Sequence, residues 1–200
     1  MSYPPPNLHT CIEVIRQASA LDRLVLTGFM GCGKSTIGKR LAQVLGFQFV
    51  DTDLAIEQMH RQKISQIFAE KGESVFRQYE SDCLKQSLEA RHMVIATGGG
   101  ALVRQDNLDL ALDEAVVIYL ELDENELLQR VLFSPKERPL INVKDPATTV
   151  HQLFEARRPF YEQAQVHVRT EGLKPEEAVE AVIQGLYKYL RYFLPTLHRS

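Results

Sequence analysis

Nine consecutive residues, 28–36, constrain this chain more than any other stretch. They read Gly-Phe-Met-Gly-Cys-Gly-Lys-Ser-Thr, which is the spacing G-x-x-x-x-G-K-[ST] of a phosphate-binding loop, or P-loop. An apolar run at 23–27 predicts a strand ahead of the loop, and apolar residues at helical spacing predict a helix over 35–45. Glycines let the backbone curl so that successive N–H groups point at one phosphate, and the helix N-terminus adds a positive dipole end. In this motif Lys34 reaches the β- and γ-phosphates and Ser35 ligates Mg²⁺, so the sequence predicts a nucleotide site.

Short apolar runs alternate with helical patterns along the rest of the chain. Strands are predicted where short apolar runs occur, and helices where apolar residues recur every three or four positions. Strands that alternate with helices predict an α/β fold with a parallel sheet covered on both faces, and ligands bind at the carboxyl ends of such strands. The predicted strands are 23–27, 47–51, 93–96, 116–120 and 166–169, and the predicted helices are 8–20, 35–45, 54–91 with a break near Gly72, 124–133 and 175–193.

The length and charge of the chain narrow the classes of function. Its 200 residues suit one domain, with a core at about 22–190 and an N-terminal extension over 1–20. A net charge of −3 gives no basic footprint for nucleic acid. No apolar run approaches the roughly 18 residues of a membrane span, and the first residues lack a signal-peptide pattern. Three widely spaced cysteines fit neither a disulfide framework nor a zinc site, so a reduced, cytoplasmic protein is expected.

One segment, 134–148, breaks the alternation of strands and helices. It contains three prolines together with Lys136, Arg138 and Lys144, and it is too polar for a core element. A loop of this length in a compact domain is usually functional or disordered. Beside a nucleotide site, we interpret it as a lid.

Two acidic residues follow the second predicted strand. Asp51 and Asp53 would share one face if the extended backbone continued, because side chains alternate along a strand. Beside a phosphate site, this pair suggests one carboxylate for the metal shell and one for the acceptor hydroxyl. The alternative is a helix cap, because Asp53 stands directly before the predicted helix.

Further polar segments are weak signals when each is taken alone. Arg77 and Glu80 are three positions apart on a predicted helix and would form a solvated surface pair. The glycine run 98–100 ends the third strand, either as a flexible turn or as a place where the backbone approaches a small ligand. Arg138 lies in the lid segment, and Arg157 precedes the last strand. Single arginines are more often surface residues than ligands.

Taken together, these segments resemble one family. The order of P-loop, D-x-D, F-R-x-x-E, G-G-G, R-P-L-[LI] and R-x-P-x-Y is similar to shikimate kinase over about residues 24–190. The resemblance implies a three-layer P-loop kinase fold whose five parallel strands run in the order 2-3-1-4-5, with a helical substrate-binding region after strand two and a lid loop. It also implies Mg²⁺-dependent transfer of the γ-phosphoryl group of ATP to the 3-hydroxyl of shikimate, towards chorismate and the aromatic amino acids. A monomer is expected.

The same resemblance implies roles for individual residues. The ATP phosphates would be bound by Gly31, Cys32, Gly33, Lys34, Ser35 and Thr36, and by Arg138 on the lid. Mg²⁺ would be ligated by Ser35 with Asp51 in its outer shell, and Lys174 would lie near the adenine. Shikimate would be bound by Asp53, Arg77, Gly98, Gly99, Gly100 and Arg157, with the two arginines on its carboxylate. Asp53 would accept the proton of the attacking hydroxyl, so Lys34, Asp53 and Arg138 are the expected catalytic residues.

Two other functions stay open at this point. Another small-molecule kinase of the same fold, such as a gluconate kinase, would share the P-loop but has no need of the pair Arg77 and Arg157 together with the glycine run 98–100 at these places. A non-catalytic nucleotide-binding module would be expected to lack Lys34, Asp53 or Arg138, and all three are present.

Overall fold

The computed structural model describes residues 7–134, 140–141 and 144–193. Its strands are β1 (Arg23–Thr27), β2 (Gln48–Asp51), β3 (Met93–Ala96), β4 (Val116–Glu121) and β5 (Val166–Arg169). Its helices are α1 (Leu8–Gln17), α2 (Lys34–Leu45), α3 (Thr52–His60), α4 (Ile64–Lys71), α5 (Glu73–Glu89), α6 (Gln105–Glu114), α7 (Glu124–Leu132), α8 (Pro146–Tyr161) and α9 (Pro175–Phe193). Within these described ranges, no helix combines the length and apolar character needed to cross a bilayer.

The five strands form one parallel sheet in the order β2-β3-β1-β4-β5. β1 lies at its centre, where Val25 pairs with Ile95 of β3 and with Val117 of β4. The consecutive residues Leu24, Val25 and Leu26 are all fully buried. Because successive side chains of a strand point to opposite faces, both faces of the sheet are covered. The predicted α/β architecture and strand order are confirmed.

The N-terminal helix is part of this packing. α1 contacts both α2 and α9, and its residues Cys11 and Ile15 are buried in the main hydrophobic core. Arg16 donates hydrogen bonds to the carbonyl oxygens of Val44 and Leu45, which end α2. The helix stops at Gln17, shorter than the predicted 8–20, and a single 3₁₀ turn follows it.

The chain between β2 and β3 folds into the three helices α3, α4 and α5. The predicted break near Gly72 is confirmed, and a second break falls at 61–63. These helices bury a small hydrophobic cluster of their own, made of Ile56, Ile67, Phe76 and Cys83. This helical region therefore packs around a hydrophobic core that is separate from the main core of the sheet.

Neither α6 nor α8 was predicted from the sequence, and the start of α8 overlaps the last residues of the predicted lid. Residues 146–148 belong to the first turn of α8, where Pro146 occupies a position that proline tolerates. The Asp145 carboxylate caps this helix by accepting a hydrogen bond from the backbone N–H of Thr148, at 3.2 Å. Residues 135–139 and 142–143 of the predicted lid, Arg138 among them, lie outside the described residues.

Candidate active site

The P-loop joins β1 to α2 at the carboxyl end of the central strand. Gly28, Gly31 and Gly33 have φ angles of 134°, 89° and 96°, a region that favours glycine. A Cβ atom at Gly28 would lie only 2.8 Å from the carbonyl oxygen of Leu120, so β4 leaves no room for a side chain there. The first N–H groups of a helix lack intrahelical partners and carry partial positive charge. The loop and the start of α2 therefore form a site suited to an anion.

Lys34 lies inside this loop. Its side chain is buried, and its Nζ donates to the carbonyl oxygens of Gly28 at 2.7 Å and Phe29 at 3.0 Å. An ammonium group held within the curl of the loop faces the same small space as the loop backbone. The residue can therefore bring a full positive charge to a phosphate bound there.

Two oxygen groups meet beside the start of α2. The Ser35 hydroxyl donates to Asp51 Oδ2 at 2.5 Å. Hydroxyl and carboxylate oxygens are ligands that Mg²⁺ prefers, and Mg²⁺ is commonly bound by one or two such groups together with substrate phosphates. Among the described residues no group of three or more His, Cys, Asp or Glu side chains could hold a metal. The hydroxyl of Ser35 and the carboxylate of Asp51 are donors of the kind that fits a Mg²⁺ ion bound together with nucleotide phosphates.

A cleft of about 950 Å³ opens from the P-loop towards α3, α4 and α5. Its lining includes most of the predicted binding residues: Gly31, Gly33, Lys34, Ser35, Thr36, Asp51, Asp53, Arg77, Gly98, Gly99, Gly100 and Arg157. Cys32 is not among them, because its side chain is buried with Sγ 3.6 Å from Lys34 Nζ. Lys174 lies outside the cleft on the loop before α9, where its backbone N–H donates to Glu177. The sequence thus predicted most of one continuous surface.

The local backbone at the D-x-D motif differs from the sequence prediction. The extended backbone ends at Asp51, and α3 begins at Thr52. The N-cap is Asp51, whose Oδ1 accepts the backbone N–H of Leu54 at 3.2 Å, so the alternative that Asp53 serves only as the helix cap is wrong. Asp53 lies in the first turn of α3, where the helix dipole favours a negative charge. The two carboxylates line one cleft because the chain turns into a helix between them, not because they share a strand face.

Arg77 is paired with two glutamates on its own helix. Its Nη1 forms an ion pair with Glu80 Oε2, and its Nε and Nη2 donate to Glu73 Oε1 at 3.1 and 2.8 Å. The predicted pair with Glu80 exists, but it is not a solvated surface pair, because the side chain of Glu80 is only 2% exposed. Burial raises the pKa of Glu80 to about 7, against the charge of Arg77, which lowers it. The Arg77 guanidinium thus lines the cleft while it is bonded to one buried and one exposed carboxylate.

The glycine run lets these charged groups approach the backbone. A Cβ atom at Gly98 would lie 2.6 Å from Asp53 Oδ1 and 2.7 Å from Glu80 Oε1, and one at Gly100 would lie 2.6 Å from Arg77 Nη1. Any side chain at these two positions would push the three charged groups away. The run is therefore a packing surface for the charged residues of the cleft, which argues against the alternative of a merely flexible turn.

Arg157 approaches the same run from α8. It is 6% exposed, its Nη1 donates to the carbonyl oxygen of Gly99 at 3.3 Å, and its guanidinium lies 5.9 Å from the ring centroid of Phe29. The hydroxyl of Tyr161 donates to the same carbonyl oxygen at 2.5 Å. Two guanidinium groups, from α5 and α8, thus reach one cleft from different sides.

Several residues in or next to this surface were not predicted from the sequence. Glu80 lines the cleft and Tyr161 lies behind it against Gly99, and neither was assigned a role in binding because their burial depends on segments distant in the chain. Arg130 of α7 also lies next to the cleft, where its Nη1 donates to the P-loop carbonyl oxygen of Gly31 at 3.3 Å. Four apolar residues that line the cleft were not predicted either: Leu54, Ile64, Phe68 and Phe76. No local signal in the sequence distinguishes them from residues of a hydrophobic core.

The fold and the cleft together define a class of protein, the P-loop kinases, which move a phosphoryl group from a nucleotide to a second molecule. A parallel sheet with the P-loop at its centre, an acidic pair beside it and a separate helical region after β2 are all present. The family model described as shikimate kinase matches residues 30–187. The chain belongs to the shikimate kinase family.

Individual relatives agree with this assignment. A shikimate kinase from Thermodesulfovibrio yellowstonii is 40% identical over 164 residues, which cover 82% of this chain and 94% of the relative. The crystal structure of a shikimate kinase from Bacteroides thetaiotaomicron superposes with a TM-score of 0.76 at 32% identity, over 84% of this chain and 98% of that one. A shikimate kinase from Acinetobacter baumannii, solved in complex with shikimate, has a TM-score of 0.74 at 28% identity, over 94% and 99% of the two chains.

Proposed function

We propose that the chain transfers the γ-phosphoryl group of ATP to the 3-hydroxyl of shikimate. The observation that carries the proposal is a single cleft with two chemically different ends. The P-loop with Lys34 lines one end, and the guanidinium groups of Arg77 and Arg157 line the other. The first end suits the phosphates of a nucleotide, and the second suits a small acid, because a guanidinium group binds a carboxylate through two parallel hydrogen bonds.

In this proposal the shikimate carboxylate binds to Arg77 and Arg157. Arg77 already contacts Glu73, whose side chain is 52% exposed, and the buried Glu80. An exposed ion pair contributes little free energy and is easily exchanged. The substrate carboxylate therefore takes the place of Glu73, while Glu80 keeps the guanidinium oriented. The backbone of Gly98, Gly99 and Gly100 lies between the two arginines and provides close contacts to the ring.

Asp53 acts on the acceptor hydroxyl in the proposed reaction. The hydroxyl oxygen forms a bond to the γ-phosphorus, the bond from that phosphorus to the bridging oxygen breaks, and ADP leaves with the electron pair. The hydroxyl proton passes to the carboxylate of Asp53. Lys34 neutralises the charge that develops on the transferred group and on the leaving oxygen.

Mg²⁺ and the remaining nucleotide contacts are part of the same proposal. Ser35 would ligate the ion and Asp51 would hold it in the outer shell, and the ion, when bound, neutralises charge on the β- and γ-phosphates. Arg138 on the lid would reach the phosphates and Lys174 would lie near the adenine. Those two roles are supported by the sequence motifs alone.

The assembly and location of the chain are proposals too. All three cysteines are buried thiols in no disulfide, as expected for a protein of the reducing cytoplasm. One chain carries both ends of the cleft, so the proposed reaction needs only a monomer. Light scattering of the purified protein measures the oligomeric state directly.

A panel of acceptors tests the proposal. The purified chain with MgATP is offered shikimate, gluconate and the methyl ester of shikimate, and both ADP release and the mass of the product are measured. We expect strong turnover of shikimate and weak turnover of the ester, because the ester lacks the negative charge that Arg77 and Arg157 would bind. Equal or faster turnover of gluconate would overturn the proposal.

A further inference from the structure

Tyr161 is a buried polar residue with no part in the reaction described above. It ends α8, is 1% exposed, and its hydroxyl donates to the carbonyl oxygen of Gly99 at 2.5 Å. Burial raises the pKa of this phenol far above its usual range, although Arg157 acts in the opposite direction. The hydroxyl therefore keeps its proton at any physiological pH and acts as a permanent donor.

The acceptor of this bond is shared with a proposed substrate residue. Arg157 lies one helical turn before Tyr161, and its Nη1 donates to the same Gly99 oxygen over a longer distance, 3.3 Å. A hydrogen bond at 3.3 Å is weaker than one at 2.5 Å, so Tyr161 is the main partner of this carbonyl. Because Tyr161 is the main partner of the carbonyl, Arg157 is bound to it only loosely, and the Tyr161 phenol is a second hydrogen-bond partner that orients the guanidinium beside the cleft.

The same bond also fixes the glycine run. Gly99 packs against the P-loop on its other side, where a Cβ atom would lie 3.2 Å from the backbone nitrogen of Met30. The peptide group between Gly99 and Gly100 is therefore held by Tyr161 of α8. Gly99 itself packs against the P-loop on its other side. Both groups that Tyr161 influences, the Arg157 guanidinium and the Gly99 backbone, line the cleft.

We propose that Tyr161 is a positioning residue for the acceptor: its hydroxyl satisfies the Gly99 carbonyl and so leaves Arg157 free to bind the substrate carboxylate. This inference rests on the proposed function. Without the hydroxyl, Arg157 loses the phenol as a partner and becomes the main donor to the Gly99 carbonyl, to which it now donates only weakly. The arginine would then have to give up that bond to bind the substrate, and acceptor affinity falls while nucleotide affinity does not.

The test compares two isosteric substitutions. Tyr161→Phe removes only the hydroxyl in question. Tyr119→Phe is the matched control, since Tyr119 is a buried tyrosine whose ring lies 5.4 Å from that of Tyr161. We expect the KM for shikimate to rise about tenfold in Tyr161→Phe, the loss of one buried hydrogen bond, with the KM for MgATP unchanged. Tyr119→Phe should change neither.

A double-mutant cycle with Arg157→Lys identifies the route of the effect. If Tyr161 acts through Arg157, the two substitutions together raise the shikimate KM by much less than the product of their separate effects. The inference would be overturned if the effects of the two substitutions on the shikimate KM were multiplicative. It would also be overturned if Tyr161→Phe left the KM for shikimate unchanged, raised the KM for both substrates equally, or failed to fold where Tyr119→Phe folds. Failure of the proposed function has a different signature, because the unsubstituted chain would then not phosphorylate shikimate.

Discussion

Two carboxylates meet over Gly98, and their surroundings give them different chemistry. Asp53 stands in the first turn of α3, whereas Glu80 is buried beside Arg77. Asp53→Asn keeps the size of the side chain and leaves the helix cap intact, because the cap is Asp51. If Asp53 accepts the hydroxyl proton, kcat should fall about 10²- to 10⁴-fold while MgATP affinity stays near normal. Turnover assays with a MgATP titration measure both.

The matched control for Asp53→Asn is Asp82→Asn, an exposed residue of α5 that bonds to Gln78. This control should leave kcat unchanged. Near-normal turnover in a folded Asp53→Asn would contradict the role of proton acceptor. Loss of MgATP binding would mean instead that Asp53, rather than Asp51, belongs to the metal site.

Glu80 should make stability depend on pH. Its pKa is about 7 in the folded chain and 4.5 ordinarily, so the folded state binds this proton more tightly than the unfolded state. The contribution of Glu80 to the free energy of unfolding is therefore greatest below pH 4.5 and declines as pH rises to 7. The Glu80→Gln variant cannot ionise at this position. Its free energy of unfolding should therefore rise by about 3 kcal/mol relative to that of the natural chain as the pH increases from 4.5 to 8. Urea unfolding at several pH values measures this difference, and a difference that does not vary with pH would contradict the buried, proton-binding state of Glu80.

Among the elements, α1 tests whether the extension before the P-loop belongs to the core. Ile15 is fully buried in the main cluster, while Gln17 on the same helix is exposed. Ile15→Ala should lower the free energy of unfolding by about 2–5 kcal/mol through lost burial and a cavity. The control Gln17→Ala should change it by less than about 0.5 kcal/mol, and thermal or urea unfolding measures both. KM values should stay the same in both variants, and an unaltered stability of Ile15→Ala would show that α1 is not docked.

Local signals explain which elements the sequence could predict. The P-loop and the strands of the sheet follow from apolar runs and glycine spacing within a few residues of each other. α8 was missed because Thr148, Thr149 and Val150 are β-branched and Pro159 lies inside the helix, features that argue against a helix. Packing overrides them, since Val150, Phe154 and Tyr161 are buried on one side.

The residues of the candidate site also differ in whether local sequence signals or contacts with distant segments determine their roles. Its motif residues were predictable because each motif carries its own chemistry. The burial of Glu80 was not, since it depends on Gly98, eighteen positions away along the chain, leaving room for the carboxylate. The capping role of Asp51 depended on where the strand ends, and periodicity does not fix boundaries to one residue.

At the scale of the whole molecule, ligands bound at the two ends of the cleft should stabilise the fold independently of each other. A ligand at about 100 times its Kd adds about 2.7 kcal/mol to the free energy of unfolding, which corresponds to a rise of about 5–10 °C in Tm for a chain of this size. MgATP and shikimate should each raise the Tm of the natural chain. Lys34→Met should abolish the shift with MgATP and keep the shift with shikimate, and Arg77→Ala should do the reverse.

Each shift is measured against the Tm of the same variant without ligand, so that a general loss of stability does not affect the comparison. This matters for Arg77→Ala, which leaves the buried Glu80 without its partner and should lower the starting Tm. Lys39→Met, an exposed lysine of α2, controls for Lys34→Met and should keep both shifts. If Arg77→Ala lost the MgATP shift as well, Arg77 would be holding the cleft together rather than binding the acceptor. If Lys34→Met lost the shikimate shift, the two ends of the cleft would be one coupled site.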